Sequence, residues 1–309
     1  MASLQRSSPS NAVRRRLFSM NSPRPSGLPE LRRPVMIAAF GGWNDAGDAA
    51  SSAVEHLALT WDATDLREID GDDFYDYQSN RPTITTVDGV TRRIAWPSTS
   101  VSYARLPDAD RDVVFVLGPE PNLRWRAFCS QLVELADALD VELVVMMGAL
   151  LADTPHTRPV PVSGSAETSA AATRFGLSPS KYEGPTGITG VLQDAFVQAG
   201  VPSISLWAAV PHYIAHPPNP KATVALLRRL EPIIEVPIPL GRLDQQARDW
   251  QEDVDEMMSD DDDMAAYVRD LEEREDDEAG DENPMVEVDG DALAAEFEKY
   301  LRRRNEGSD

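Results

Sequence analysis

The chain has 309 residues, of which 42% are hydrophobic, so it is long enough to bury one large core and to carry appendages. Its formal net charge is −23, and an acidic surface repels phosphates, which argues against nucleic acid as a partner of the main body. The single cysteine, Cys129, excludes a disulfide framework and a cysteine-based metal site, and it is typical of a reducing cytoplasm.

Charge is distributed unevenly along the chain. Residues 1–33 hold seven arginines and one glutamate, are rich in Ser and Pro, and lack the apolar run of a secretory signal. No later run is long and apolar enough to span a membrane. We therefore predict a disordered basic N-terminus over residues 1–33, followed by an α/β core domain over 34–240, in a cytoplasmic protein.

Within residues 34–240, four apolar segments alternate with amphipathic helical patterns. The segments are "PVMIAAF" (34–40), "RDVVFVLG" (111–118), "VELVVMMGAL" (141–150) and "VPSISLWAAV" (201–210). Short apolar strands that alternate with helices predict an α/β fold with a parallel sheet covered on both faces. Asp88-Gly89 lies between two β-rich arms, which predicts a tight hairpin within an antiparallel segment over 83–105.

Polar loops lie at the ends of these elements. They are "GGWNDAG" (41–47), "GPEPNLRW" (118–125), "GALLADTPHTRPVPVSG" (148–164), "KYEGPTGITG" (181–190) and "AAVPHYIAHPPNPKA" (208–222). The carboxyl ends of parallel strands face one crevice, so we expect the loops to converge there. The P-loop, HExxH and GxSxG motifs are absent from the sequence, so no familiar motif assigns a reaction.

The first loop has two interpretations. Its glycines permit a sharp turn from strand to helix, and Asp45 or Asp48 would cap a helix that begins near Ala46. Alternatively, the loop binds a ligand. Because it carries two carboxylates, that ligand would be a sugar hydroxyl or an amine rather than a phosphate, or the acids would pair internally with Arg124.

The other loops supply further candidates. "GPTGITG" would cradle an oxyanion or a phosphate, and in "ADTPHTRPVPV" the prolines would hold His156 and Arg158 in place, with Arg158 forking onto a carboxylate or a phosphate. The candidate catalytic residues are Asp45, Glu120, His156 and Glu183. The candidate ligand-binding residues are Gly42, Trp43, Asn44, Asp48, Arg124, Arg158, Gly184, Thr186, Gly187 and His212. We predict no metal and no cofactor.

The acidic C-terminal part contains three predicted segments. Apolar residues at helical spacing predict a helical extension over 241–279. The stretch from Gly280 to Gly290 predicts a linker over 280–290. An amphipathic helix follows within 291–309, with one apolar stripe formed by Leu293, Phe297, Tyr300 and Leu301. This helix would dock on its own core, on a sister subunit or on another protein.

Several long motifs in order resemble the proteasome assembly chaperone 2 family, in its actinobacterial branch. They are "GGWNDAGDAA", "GPEPNLRW", "LLADTPHTRPVPVSG", "YEGPTGITGVL" and "SLWAAVPHYIAHPPNPKATVALL", and the resemblance covers roughly residues 34–304. It implies a three-layer α/β/α sandwich of the phosphorylase/hydrolase-like type, similar to nucleoside phosphorylases.

The resemblance leaves two functions open. Eukaryotic members of the family act in assembly of the proteasome α-ring, which implies a non-enzymatic binding protein with a protein partner or a homo-oligomeric state. Relatives of the fold cleave N-glycosidic bonds, which implies a small-molecule hydrolase or phosphorylase that acts on a nucleoside-like or other polar ligand. Fold does not decide between these functions. The last residues, "RNEGSD", lack the hydrophobic-tyrosine ending of proteasome activators, which puts direct docking on the ring in doubt.

Overall fold

A computed structural model describes residues 27–280, apart from residues 88, 90, 167–168 and 180–182. The predicted amphipathic helix over 291–309, and all but the first residue of the predicted linker over 280–290, lie outside the described residues. The division of the chain into domains stays a prediction.

The strands of the described residues form an eight-stranded mixed sheet and a separate two-stranded sheet. The strands are β1 (Val35–Gly41), β2 (Thr64–Ile69), β3 (Thr83–Val87), β4 (Thr91–Ala95), β5 (Thr99–Ala104), β6 (Val113–Pro119), β7 (Leu143–Ala152), β8 (Val162–Ala166), β9 (Ser178–Pro179) and β10 (Ser203–Pro211). The large sheet has the order β2-β5-β6-β1-β7-β10-β8-β9. Its four central strands β6, β1, β7 and β10 are parallel and are those predicted from the apolar segments, so that prediction is confirmed.

Helices cover both faces of the sheet. They are α1 (Ala49–Thr60), α2 (Trp125–Ala138), α3 (Ser169–Phe175), α4 (Ile188–Gln198), α5 (Pro220–Ile234), α6 (Leu243–Ser259) and α7 (Asp262–Gly280). Alternate residues of β1 enter two cores: Ile37 packs with α1 and α5, whereas Phe40 packs with α2 and α4. The fold is therefore an α/β/α sandwich, as the sequence predicts.

The predicted hairpin is also confirmed. Strands β3 and β4 pair antiparallel in the two-stranded sheet, and β5, in the same predicted segment, joins the large sheet between β2 and β6. The predicted loop over 148–164 is too long, because β7 extends to Ala152 and β8 begins at Val162. Strand β8 has the sequence "VSGSA", which has little intrinsic β-propensity, and it is held by antiparallel pairing with β10.

Arg32, within the predicted N-terminal segment over 1–33, is hydrogen-bonded to the main body. Its backbone N–H donates to Asp112 Oδ2 at 2.7 Å and its Nη2 donates to Asp112 Oδ1 at 3.0 Å. Asp112 is buried, so these hydrogen bonds satisfy a carboxylate that burial would otherwise penalise.

The helical extension packs on the main body. Val254 and Met258 of α6 and Val268 of α7 form a small buried cluster together with Tyr213, which follows β10. This contact places α6 and α7 beside the loops at the carboxyl ends of β7 and β10.

Candidate functional site

The Glu120 carboxylate joins three of the strand-end loops. Glu120 Oε1 accepts hydrogen bonds from Asn44 Nδ2 at 2.7 Å and from the backbone N–H of Ile188 at 2.8 Å. The backbone N–H of Glu120 donates to the carbonyl of Gly41 at 2.8 Å. The loops after β1 and β6 and the loop before α4 therefore meet at one edge of the sheet, and a carboxylate caps the positive end of α4.

The contact between these loops is tightly packed. Asn44 is 1% exposed, and a Cβ atom at Gly187 would lie 2.3 Å from Asn44 Oδ1 and 2.8 Å from Glu120 Oε1. Gly187 has φ −85°, so this position needs glycine for the close approach of the loops rather than for its backbone conformation. Asn44, Glu120 and Gly187 hold the loops together here.

Asp45 caps α1 from outside the helix. Its Oδ1 accepts from the backbone N–H of Ala50 at 2.6 Å and its Oδ2 from that of Ser51 at 3.1 Å. The helix begins at Ala49, three residues later than predicted, because a 3-10 turn over Ala46–Asp48 comes first. Burial raises the pKa of Asp45, despite the hydrogen bonds from Ser51 and Ala50. This contact fits the structural interpretation of the first loop.

The other acid of the loop and the predicted arginine partner lie elsewhere. Asp48 is exposed, and its backbone adopts the left-handed conformation with φ 51°. Its side chain makes no capping hydrogen bond. Arg124 pairs with Asp73 and not with an acid of the first loop, so the internal pair considered from the sequence is wrong. Gly42 has φ +115°, which accounts for glycine at the turn after β1.

Replacement of Asp45 by Asn should cost on the order of 1 kcal/mol of unfolding free energy. The amide oxygen can still accept one of the two backbone hydrogen bonds, and burial already disfavours the charged form. Asp45→Ala should cost more, because both N–H groups at the start of α1 lose their acceptor. Urea denaturation measures both changes, with exposed Asp48→Asn as the control. Equal losses for Asp45→Asn and Asp48→Asn would contradict the capping role.

His156 is buried in a hydrogen-bonded chain between the main body and the extension. It is 3% exposed, its Nδ1 lies 2.7 Å from the Tyr213 hydroxyl, and its Nε2 lies 3.0 Å from Asp255 Oδ1 in α6. The backbone N–H of His156 donates to the same Tyr213 oxygen at 2.8 Å. A carboxylate only accepts hydrogen bonds, so Asp255 favours the ring proton of neutral His156 on Nε2, and Nδ1 then accepts from the Tyr213 hydroxyl.

Arg158 binds a carboxylate of its own chain. Its Nη2 donates to Asp276 Oδ2 at 2.7 Å and its Nε to Asp276 Oδ1 at 3.2 Å, and Asp276 belongs to α7. Thr157 donates to Glu272 one turn earlier in the same helix. Arg158 therefore forks onto a carboxylate of the acidic extension.

Lys221 holds the loop that contains His156 and Arg158 through hydrogen bonds to the backbone of that loop. Its Nζ donates to the carbonyl of His156 at 2.5 Å and to the carbonyl of Arg158 at 2.8 Å. Burial lowers the pKa of Lys221, although the carboxylates of Asp255 and Glu275 oppose that shift. No sequence pattern indicates this role of Lys221, because a lysine in the first turn of a helix carries no motif.

Because His156 is buried between Tyr213 and Asp255, a low pH should weaken its contacts with the extension. Burial lowers the pKa of His156 below its usual value. The charges of Asp255 and Glu272 oppose this lowering, and the charge of Lys221 adds to it. A histidine with a lowered folded pKa binds its proton more readily in the unfolded chain. Its contribution to stability is therefore complete above the unfolded pKa, about 6.5, and is lost as the pH falls through that value towards the folded pKa.

We expect the wild type to lose more stability than His156→Gln between about pH 7.5 and pH 5.5, because glutamine does not titrate. Urea midpoints at the two pH values measure the difference, and His216→Gln, at an exposed histidine, is the matched control. Equal losses in the wild type and His156→Gln would contradict this assignment.

The remaining candidates are spread around this edge of the sheet. Glu183, Gly184 and Thr186 are exposed in the segment before α4, and Trp43 is half-buried after β1. His212 Nδ1 lies 3.1 Å from Asp153 Oδ1. The edge therefore has two parts: a packed junction around Glu120 and a junction with the extension around His156. The catalytic and ligand-binding roles of all these residues stay predictions.

Aromatic rings complete the junction with the extension. The ring of Tyr213 packs edge-on against those of His156, His212 and Tyr267, with centroid distances of 5.7, 5.6 and 6.0 Å. Tyr267 belongs to α7, and its ring also packs edge-on against that of His212, with a centroid distance of 5.7 Å. The sequence predicts a helical extension here but not these contacts, because they join residues far apart in the chain.

No group of three or more His, Cys, Asp or Glu side chains within residues 27–280, as far as these are described, is arranged to hold a metal ion. Among the same residues, no helix has the length and apolar character needed to cross a membrane.

This fold and these contacts define a three-layer α/β/α protein whose strand-end loops are joined to each other and to an acidic helical extension. The PAC2 family model matches residues 39–258. A PAC2 family protein from Streptomyces avermitilis is 55% identical over 76% of this chain and 99% of its own, with a TM-score of 0.72. A proteasome-assembly chaperone homologue from Mycobacterium tuberculosis is 57% identical over 76% of this chain and 99% of its own, with a TM-score of 0.70.

The chain belongs to the PAC2 family, which its strand-end motifs resemble, and both of these relatives are actinobacterial. PbaA from Pyrococcus furiosus, an archaeal homolog of proteasome-assembly chaperone, is 16% identical over 81% of this chain and 98% of its own. Its TM-score is 0.53, and at this identity the likeness concerns the fold alone. A search among curated proteins finds no match.

Proposed function

We propose that the chain is a non-enzymatic binding protein that assists the assembly of a multi-subunit complex of the proteasome type. Membership of the PAC2 family carries this proposal, together with the relative from Mycobacterium tuberculosis that is a proteasome-assembly chaperone homologue. The partner is then another protein, and the chain works in the cytoplasm without nucleic acid.

The contacts of three candidate catalytic groups support this proposal. The Asp45 carboxylate caps α1, Glu120 joins Asn44 to the start of α4, and His156 lies between Tyr213 and Asp255. A general base needs a substrate proton within hydrogen-bond reach, and these atoms already have protein partners. A hydrolase or phosphorylase that uses them would first have to break these contacts, so the enzymatic alternative is not favoured.

The test is complex formation with unassembled proteasome subunits of an actinobacterium. The full chain is mixed with separately purified α-type and β-type subunits, and size-exclusion chromatography with light scattering reports the mass of each species. We expect the chain to form a complex with free subunits and to be absent from the finished particle, as an assembly factor must be. No complex, together with an unchanged rate of particle formation, would contradict the proposal.

A further inference from the structure

The β3–β4 hairpin exposes large apolar side chains. Ile84 is 62% exposed, Ile94 is 55% exposed, and Trp96, directly after β4, is 56% exposed. Scattered exposed apolar residues are ordinary, but a group of them on one element marks an interaction surface.

The strand register brings two of these residues together. Ile84 and Ile94 are directly opposite each other in the antiparallel pair, so their side chains lie on the same face of the hairpin. Trp96 packs on Tyr77, with ring centroids 4.9 Å apart, which holds the base of the hairpin. Ile84 and Ile94 are therefore exposed on a hairpin whose base is held by the contact between Trp96 and Tyr77.

The same arm is basic, although the whole chain carries a net charge of −23. Arg81, Arg92 and Arg93 are exposed, and none of the three forms an ion pair with another described residue. Arg92 lies opposite Thr86 on the face of the isoleucine pair, and Arg93 lies opposite Thr85 on the other face. The positive charges of this arm would attract an acidic partner, whereas the net negative charge of the whole protein would repel it.

The hairpin also offers backbone groups. Its sheet contains only β3 and β4 among the described strands, so the outer edge of each strand carries N–H and C=O groups that no other described strand pairs. Open edges of this kind accept an added strand, and side chains that alternate along that strand give specificity.

We propose that the β3–β4 hairpin is a docking arm for an extended, acidic segment of a partner protein. The segment adds as a third strand to the hairpin, its apolar side chains cover Ile84 and Ile94 on one face, and its alternate carboxylates pair with Arg93 on the other face. This inference deepens the proposed function by naming the surface and the chemistry of the partner, and in that respect it rests on that function.

The test uses a peptide of the stated chemistry rather than an unidentified partner. A short fluorescein-labelled peptide in which Val and Glu alternate is titrated with the full chain, and fluorescence anisotropy reports binding. We expect it to bind at least about tenfold more tightly than the same peptide with Lys in place of Glu, and to weaken as salt is added. Equal affinity of the two peptides would overturn the inference.

Two variants and a control locate the binding. Arg93→Glu reverses an exposed charge on the face of the carboxylates and should lower the affinity about tenfold or more. Ile94→Thr keeps a β-branched residue but removes apolar surface, so it should also weaken binding. Arg126→Glu makes the same charge change at an exposed position of α2 and should leave binding unchanged. Thermal melting confirms that each variant is folded. Wild-type affinity of Arg93→Glu would overturn the inference.

Three further outcomes decide between this inference, the proposed function and self-association. If Arg93→Glu still binds proteasome subunits as the wild type does, the hairpin is not the docking arm, although the proposed function stands. If the peptide binds as expected but no subunit does, the docking arm stands and the proposed function fails. If hairpin variants change only the self-association of the chain, the surface serves a second copy and the inference is overturned.

Discussion

Gly187→Ala should lower the free energy of unfolding by about 2–3 kcal/mol, which is a large effect for one added methyl group. The new Cβ would lie 2.3 Å from Asn44 Oδ1 and 2.8 Å from Glu120 Oε1, so both side chains must move. Their movement breaks the hydrogen bonds from Asn44 Nδ2 and from the Ile188 N–H, and it leaves buried polar groups without partners. Urea denaturation measures the loss.

Gly41→Ala is the matched control, because its Cβ would meet no atom within 4 Å. We expect it to stay within about 0.5 kcal/mol of the wild type. The double variant Gly187→Ala with Asn44→Ala should lose less than the sum of the single changes, since the second change removes part of the clash. A Gly187→Ala protein as stable as Gly41→Ala would show that the loops are not joined in this way.

Lys221→Met should cost about 2 kcal/mol and loosen the extension. Methionine has a similar length but cannot donate to the carbonyls of His156 and Arg158, which lose the donor that now lies 2.5 and 2.8 Å away. The loop that binds Asp255 and Asp276 would then lose its support. Urea denaturation measures the cost, and hydrogen exchange should become faster in α6 and α7.

Arg229→Met provides the comparison, because this residue lies on the same helix and forms no ion pair with another described residue. It should leave exchange in α6 and α7 unchanged. If the extension exchanges at the wild-type rate in Lys221→Met, the lysine does not control its attachment.

The sequence predicts the centre of the fold well because burial dictates the pattern there. The four parallel strands are almost entirely apolar, since helices cover both of their faces, and the Asp88-Gly89 turn between β-rich arms indicates the hairpin. Strand β8 was missed because "VSGSA" pairs with β10 through its backbone, a contact that side-chain patterns do not encode. The start of α1 was placed three residues early, because its cap comes from Asp45 across a 3-10 turn.

The site could be predicted in position but not in its contacts. The ends of β1 and β6 identify the loops of Asn44 and Glu120, and strand-end geometry predicts that these loops meet. No local pattern indicates that Asp255, 99 residues after His156, is its partner. From the sequence alone, the acidic residues of α6 and α7 are predicted to form a solvent-exposed surface. Spacing within a helix does not reveal which turns pack against a loop.

The central claim is that this chain binds a protein partner rather than turning over a small molecule. The most direct measurement is an activity panel in which purine and pyrimidine nucleosides are incubated with the full chain, with phosphate to detect phosphorolysis and without phosphate to detect hydrolysis. We predict no turnover above the rate without protein. Turnover that Glu183→Gln or His156→Ala abolishes, while the variant keeps the urea midpoint of the wild type, would contradict the claim and identify an enzyme.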